Sequence, residues 1–241
     1  MKKTLFTFLL FFGALFFASA QSEKPLEITP LTGDFYVYTT YNTFNGVAFP
    51  SNSMYVVTSE GVVLIDTPWD KTQLQPLLDS IKNRHGKEVV LSVSTHYHDD
   101  RTAGVETLKK KGVRTYATEQ TLELCKKEGN DLPEFTFSKD TVFTVGNHQF
   151  ETYYAGEGHT PDNIVIWFGK EKILYGGCLI KSTESTGLGN TADANLQEWA
   201  HSIKNVIKKY PKRKYIIPGH QGWDNKSGLE HTLQLLEKNG Y

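Results

Sequence analysis

Glu88-Val89-Val90-Leu91-Ser92-Val93-Ser94-Thr95-His96-Tyr97-His98-Asp99-Asp100 is the stretch on which the reading of this chain turns. The run from Glu88 to Ser94 is apolar and β-branched, the composition of a buried strand. It stops at Thr95, and three metal-competent side chains follow at His96, His98 and Asp100. On extended backbone, alternation places those three on one side and Tyr97 and Asp99 on the other. Imidazole nitrogen and carboxylate oxygen are both ordinary zinc ligands. Two histidines at i, i+2 also arise by chance in a polar loop, so the weight falls on what stands at the other strand ends.

Working outward, strands and helices alternate on both sides of this segment. Before it, Phe35 to Tyr41 and Ser53 to Thr58 alternate as strands, and Gly61 to Asp66 reads as a buried strand. Leu74, Leu77, Leu78 and Ile81 have helical spacing after Asp70 as N-cap. After it, Asp99 to Lys111 reads as one helix closed by Gly112, then a strand near Val113 to Tyr116 and a helix from Thr118 to Glu128. Gly129 to Pro133 is a break, and two hairpins follow, Thr141–Val145 with Gln149–Tyr154 and Asn163–Phe168 with Lys172–Tyr175. A helix from Leu196 to Lys209, a strand from Lys214 to Ile217 and a helix from Lys226 to Lys238 close the chain. Two successive blocks thus run strands first and strand–helix units afterwards. That order predicts an α/β fold in which two similar sheets pack face to face with helices outside, a four-layer αββα sandwich in one domain.

Further soft or borderline ligands stand just past further strands. His159 follows Tyr153-Tyr154-Ala155-Gly156-Glu157-Gly158, Cys178 follows Tyr175-Gly176-Gly177, and His220 follows Ile216-Ile217-Pro218-Gly219. Strand ends in α/β sheets converge on one rim, where sites are built. The remaining histidines, His85, His148, His201 and His231, lie at a helix end, in a turn and within amphipathic helices, and read as ordinary surface or satisfied side chains. Six ligands are too many for one tetrahedral zinc and suit two. Spacing alone does not sort them between the ions.

Bulk properties narrow the class. Lys2 and Lys3, the apolar stretch Leu5 to Phe17 and Ala18-Ser19-Ala20 make residues 1–20 an export signal, leaving 21–241 as the folded domain. The whole chain carries a formal charge of −1, and loss of Lys2 and Lys3 makes it more negative. No basic stripe remains for nucleic acid, and no membrane association is expected once the signal is cut. Cys125 and Cys178 would first suggest a disulfide in an exported protein. Cys178 sits among strand-end glycines instead, and Cys125 on a helical pattern where a lone Cys is a small buried apolar group. A cysteine nucleophile would need an adjacent base, and there is no Gly-x-Ser-x-Gly elbow.

The pattern His96-x-His98-x-Asp100, then His159, Cys178 and His220, resembles the metallo-β-lactamases, in particular their two-zinc subclass with a Cys ligand. The likeness runs in order and spacing along the whole chain after the signal. Arg101 stands where glyoxalase II, RNase Z and many lactonases place a second His after the Asp, and His96 stands where the one-zinc lactamases have Asn. The resemblance implies one zinc at His96, His98 and His159 and a second at Asp100, Cys178 and His220. It implies that Asp100 holds the attacking water, that Lys181 pairs with the carboxylate of a β-lactam, and that Asn190 polarises the lactam carbonyl. It further implies a flap, Asn42 to Asn52, whose Phe44, Val47 and Phe49 close over the apolar face of the substrate; Asp66, just past the strand Val62 to Ile65, is read as orienting a ligand or carrying a loop hydrogen bond. The activity implied is hydrolysis of penicillins, cephalosporins and carbapenems in a bacterial periplasm by a monomer. A thioester or lactone hydrolase and a non-catalytic zinc-binding protein are the other readings. The first is disfavoured by Arg101, Cys178 and Lys181, the second by three-ligand sites that leave coordination positions for water.

Overall fold

The computed structural model describes residues 26–44, 46–138 and 140–241, and of Phe44 only the backbone; residues 1–20, read as an export signal, lie outside the described residues. The chain begins as an antiparallel meander: β1 (Glu27–Thr32), β2 (Phe35–Phe44), β3 (Val47–Thr58) and β4 (Gly61–Ile65). It then switches to parallel addition through α1 (Leu74–His85), β5 (Val89–Val93), α2 (Asp99–Thr102), α3 (Val105–Lys110), β6 (Arg114–Thr118), α4 (Glu119–Glu128) and β7 (Phe135–Phe137). The second sheet repeats the plan with the antiparallel strands β8 (Val142–Val145), β9 (His148–Tyr153), β10 (Val165–Phe168) and β11 (Ile173–Gly177). Helix α5 (Leu196–Lys209) carries the chain over to β12 (Tyr215–Pro218), which pairs parallel with β11, and α6 (Gly228–Lys238) ends it.

Alternation along the strands creates three apolar layers. Met54 and Val56 of β3, Val63 and Ile65 of β4 and Val93 of β5 face Phe150, Ile166, Phe168, Tyr175 and Ile217 of the second sheet. The intervening residues Tyr55, Val62 and Leu64 pack outward on Leu74, Leu77 and Ile81 of α1 and Leu108 of α3. On the far side, Val165, Leu174 and Ile216 pack on Trp199, Ile203 and Val206 of α5 and Leu229 and Leu236 of α6. Helix, sheet, sheet, helix is therefore the order of layers, as the alternation of elements predicts. Strands buried on both faces explain why β4 and β5 read as continuous apolar runs.

Two local expectations are corrected, and two strands are added. The single helix over 99–111 is two, because Gly104 adopts φ +104° and a Cβ there would stand 2.9 Å from Leu74 Cδ2. Asp70 caps the short 3₁₀ turn Lys71–Gln73 rather than α1 itself, accepting from the Thr72 amide at 2.9 Å. Strands β1 and β7 carry no clear sequence signal: β1 contains Pro30 and is half exposed, and β7 has three residues. Both cysteines are free thiols. No helix among the described residues is long and apolar enough to cross a membrane.

Candidate metal centre

Strand β5 delivers Thr95 onto a buried carboxylate. The Asp66 oxygens accept from the Thr95 amide at 2.7 Å and its hydroxyl at 2.9 Å, and from the Tyr175 hydroxyl at 2.6 Å. Asp66 itself sits at φ +62°, a costly conformation for a residue with a Cβ, and its carbonyl is tied down by the Tyr38 hydroxyl at 2.8 Å. Burial raises the Asp66 carboxyl to about 6, against the pull of Arg101 and its hydrogen-bond donors. The residue immediately before His96 is thereby fixed from outside its own strand. The alternation drawn for His96, His98 and Asp100 does not describe the backbone here: β5 ends at Val93, and Asp100 lies in the first turn of α2. The carboxylate returns to the histidines by the i, i+4 spacing of that turn, with Asp100 Oδ1 3.9 Å from His96 Nε2.

His159, in the turn after β9, completes a first cluster. One ring nitrogen from each of His96, His98 and His159 lies within 4.8 Å of the other two. The three rings stand about one another with centroids 5.0 Å apart and planes at 76° to 88°. His98 Nδ1 is 3.2 Å from His159 Nε2, and buried His96 Nε2 has no hydrogen-bond partner. Burial, with the neighbouring imidazoles and cations, holds His96 and His159 well below the usual histidine range, so both are neutral at neutral pH. On the outer side His98 Nε2 donates to Asp193 at 3.0 Å, which leaves Nδ1 with its lone pair facing inward. A buried ring nitrogen without a proton partner, beside two others at non-bonded distance, is a donor set that fits a zinc ion.

The second cluster is built on a carboxylate and a sulfur. Cys178 Sγ, one residue past β11, is 3.3 Å from Asp100 Oδ2 and 3.3 Å from His220 Nε2. His220 Nε2 is 3.1 Å from Asp100 Oδ2, while its Nδ1–H donates to the Pro50 carbonyl at 2.8 Å. Thiol, carboxylate and imidazole thus converge, again a zinc-binding donor set. Beneath them lies Arg101, fully buried. Its Nη2 donates to Asp100 at 2.9 Å, Cys178 at 3.0 Å and the Gly219 carbonyl at 2.9 Å. Its Nη1 reaches the Asn52 carbonyl at 2.8 Å and the Tyr175 hydroxyl at 3.1 Å. Burial alone would raise the Asp100 carboxyl, but Arg101, His220 and His96 hold it well below the usual carboxylate range. Burial likewise opposes a charged His220, and Cys178 and Asp100 push it up to about 9.

All six sequence-derived ligand candidates therefore meet at one rim. Lys181 reaches the same region from the loop after β11, buried, with its ammonium 5.1 Å from the Trp199 ring centroid. Phe49 lies with its ring 5.3 Å from His220, and Val47 is 66% exposed at the hairpin tip. The Phe44 side chain is outside the described residues. Asn190 is exposed and its Oδ1 accepts from the Ala192 amide at 3.1 Å, a loop contact rather than a contact with the clusters. The four background histidines stay out of both clusters, although His148 is buried at the start of β9 against Asp34, at 3.0 Å. Sequence reading did not find Asp193, Tyr175 or Trp199, and met Arg101 only as a departure from a motif. No local pattern marks them, because each acts across the fold.

Comparison with known proteins agrees with this geometry. Residues 46–220 match the family model of the metallo-beta-lactamase superfamily. A type 2 metallo-beta-lactamase of Elizabethkingia meningoseptica is 41% identical over 99% of this chain and 96% of its own length. A metallo-beta-lactamase of Chryseobacterium indologenes is also 41% identical, over 99% of this chain and all of its own. Among solved structures, a metallo-beta-lactamase from Pontibacter korlensis superposes with a TM-score of 0.86 at 41% identity, covering 88% of this chain and 99% of that one. With the layers, both ligand clusters and nearly full-length identity in agreement, the chain belongs to the metallo-beta-lactamase superfamily.

Proposed function

We propose that this protein is a two-zinc hydrolase that opens the amide bond of penicillins, cephalosporins and carbapenems and so protects a bacterium from them. The observation that carries the proposal is the pair of adjoining clusters, His96/His98/His159 and Asp100/Cys178/His220, with the buried ammonium of Lys181 nearby. Zinc held by such ligands acts as a Lewis acid on a carbonyl oxygen and lowers the pKa of its water towards ~7. Asp100 orients the attacking water through the carboxylate oxygen that it keeps ionised beside Arg101. Lys181 takes the substrate carboxylate, and Asn190 turns from its loop contact to polarise the lactam carbonyl. Water adds to the carbonyl carbon, the C–N bond breaks, and the ring nitrogen leaves with a proton. The hairpin of β2 and β3 closes over the apolar side of the substrate through Phe44, Val47 and Phe49. The enzyme works as a monomer in the periplasm after loss of residues 1–20, and takes neither nucleic acid nor membrane as partner.

Absorbance of a carbapenem at the lactam band, followed with the purified protein, tests the proposal. Turnover is expected, to be abolished by chelation and restored by zinc. No turnover across several β-lactams by protein with both zinc ions bound would overturn it. The carboxylate role of Lys181 is tested by Lys181→Ala, which should raise KM about 10- to 100-fold through loss of a charge-assisted hydrogen bond. An esterified substrate should show no such rise.

A further inference from the structure

Trp199 belongs to the buried stripe of α5, and packing would account for an apolar side chain there. Its surroundings ask for more. The ring is wholly buried, and its indole N–H donates to the Leu179 carbonyl at 2.9 Å, one residue past Cys178. Its centroid lies 5.9 Å from that of His159. The turn entering His159 packs on Leu179 and on the same indole: a Cβ on Gly158 would stand 2.5 Å from Leu179 Cδ1 and 3.0 Å from Trp199 Cδ1. On top of this ring is the ammonium of Lys181, 5.1 Å from the centroid.

Lys181 is only 8% exposed, and none of the ion pairs among the described residues includes it. A buried ammonium without a carboxylate has lost much of its hydration and must recover the energy elsewhere. The negative face of an indole is the best aromatic surface for that purpose. It also compensates the charge without capping it, which a protein carboxylate would do. The charge is left available to an incoming anion.

We propose that Trp199 is the positioning residue of the anion subsite: its ring face holds the Lys181 ammonium in place of a counter-ion and aims it at the substrate carboxylate. The inference rests on the reading of Lys181 given under Proposed function. Through Leu179 and Gly158 the same indole also ties that ammonium to the backbone carrying Cys178 and His159, which sets the distance between anion subsite and metal centre.

Replacing Trp199 by a series of tryptophans with one to three ring fluorines drains the negative face while nearly keeping the shape, so folding and packing are retained. The zinc-loaded proteins are assayed with a penicillin and with its methyl ester. KM for the acid should climb with each fluorine, to roughly 3- to 30-fold at the end of the series, the span that a cation–π contact covers. KM for the ester, kcat and zinc content should stay level. A flat KM for the acid, or acid and ester climbing together, would reduce Trp199 to a packing residue. If the unmodified protein opens no β-lactam, the function fails while the inference is still read directly. Propionate is then titrated into zinc-loaded protein while the Lys181 ε-methylene protons are followed by NMR. Weaker propionate binding along the series sustains the anion subsite, and an unchanged affinity removes it.

Discussion

The two ligand clusters share a rim and are built on opposite electrostatic plans. The His96/His98/His159 cluster is made of imidazoles, two of them held neutral by burial, with Asp193, 42% exposed, against His98 on the outer side and Asp100 3.9 Å from His96 on the inner. The Asp100/Cys178/His220 cluster is made of a carboxylate, a sulfur ligand and one imidazole pushed up to about 9, on top of a fully buried guanidinium. The first presents lone pairs with little charge to neutralise. The second is already neutralised from below, so a cation entering it shares its ligands with Arg101. One centre thus joins a site preorganised by tautomer and burial to a site preorganised by ion pairing.

The sharpest way to break this contrast is to remove the guanidinium. Arg101→Met leaves Asp66, Asp100 and Cys178 without their buried cation, and stripping one partner from such a pair costs about 3–5 kcal/mol. Denaturant unfolding of the metal-free variant should show that loss. Excess zinc should return part of it, because the ion supplies the missing positive charge to Asp100 and Cys178. An equal loss with and without zinc would mean that Arg101 acts as a strut for Asn52, Gly219 and Tyr175, and the electrostatic contrast would fall.

A smaller effect is expected on the imidazole side. Asp193→Ala removes the acceptor that fixes the His98 tautomer, a change that typically lowers metal affinity about 10- to 100-fold. Competition with a chromophoric chelator should place the whole loss on the tighter-defined first site and leave the second where it was. Equal weakening of both would show that the clusters behave as one unit rather than two.

The sequence disclosed unequal shares of this arrangement, for a physical reason. His96, His159, Cys178 and His220 were legible because each follows a strand signal and a glycine or threonine turn, and strand ends converge. The layers were legible because β3, β4 and β5 alternate or run apolar over enough residues to be heard. Asp193 and Trp199 were not, since their partners are His98, 95 residues away, and Lys181, on a separate loop. The false helix over 99–111 has the same origin: Val105 and Leu108 keep helical spacing, while the break is imposed by Leu74 against Gly104. Local pattern reports what a segment prefers; it is silent on which distant side chain presses on it.

The weakest prediction concerns the hairpin, which among the described residues touches the second cluster. Phe49 lies 5.3 Å from His220, and the Pro50 carbonyl holds its Nδ1–H at 2.8 Å. Val47 stands three residues further out, 66% exposed, paired across the hairpin with Phe44. Val47→Ala should leave stability within about 0.5 kcal/mol, as for most exposed substitutions. It trims apolar surface that only a bound substrate would cover, so KM should rise about two- to five-fold with kcat level. Zinc affinity should not move at either site, because Pro50 is anchored by its own pairing with Tyr41, between the tip and His220. A fall in affinity confined to the second site would carry a different message. The hairpin would then be part of that cluster's support, and the division into an imidazole site and an ion-paired site would have to include the flap.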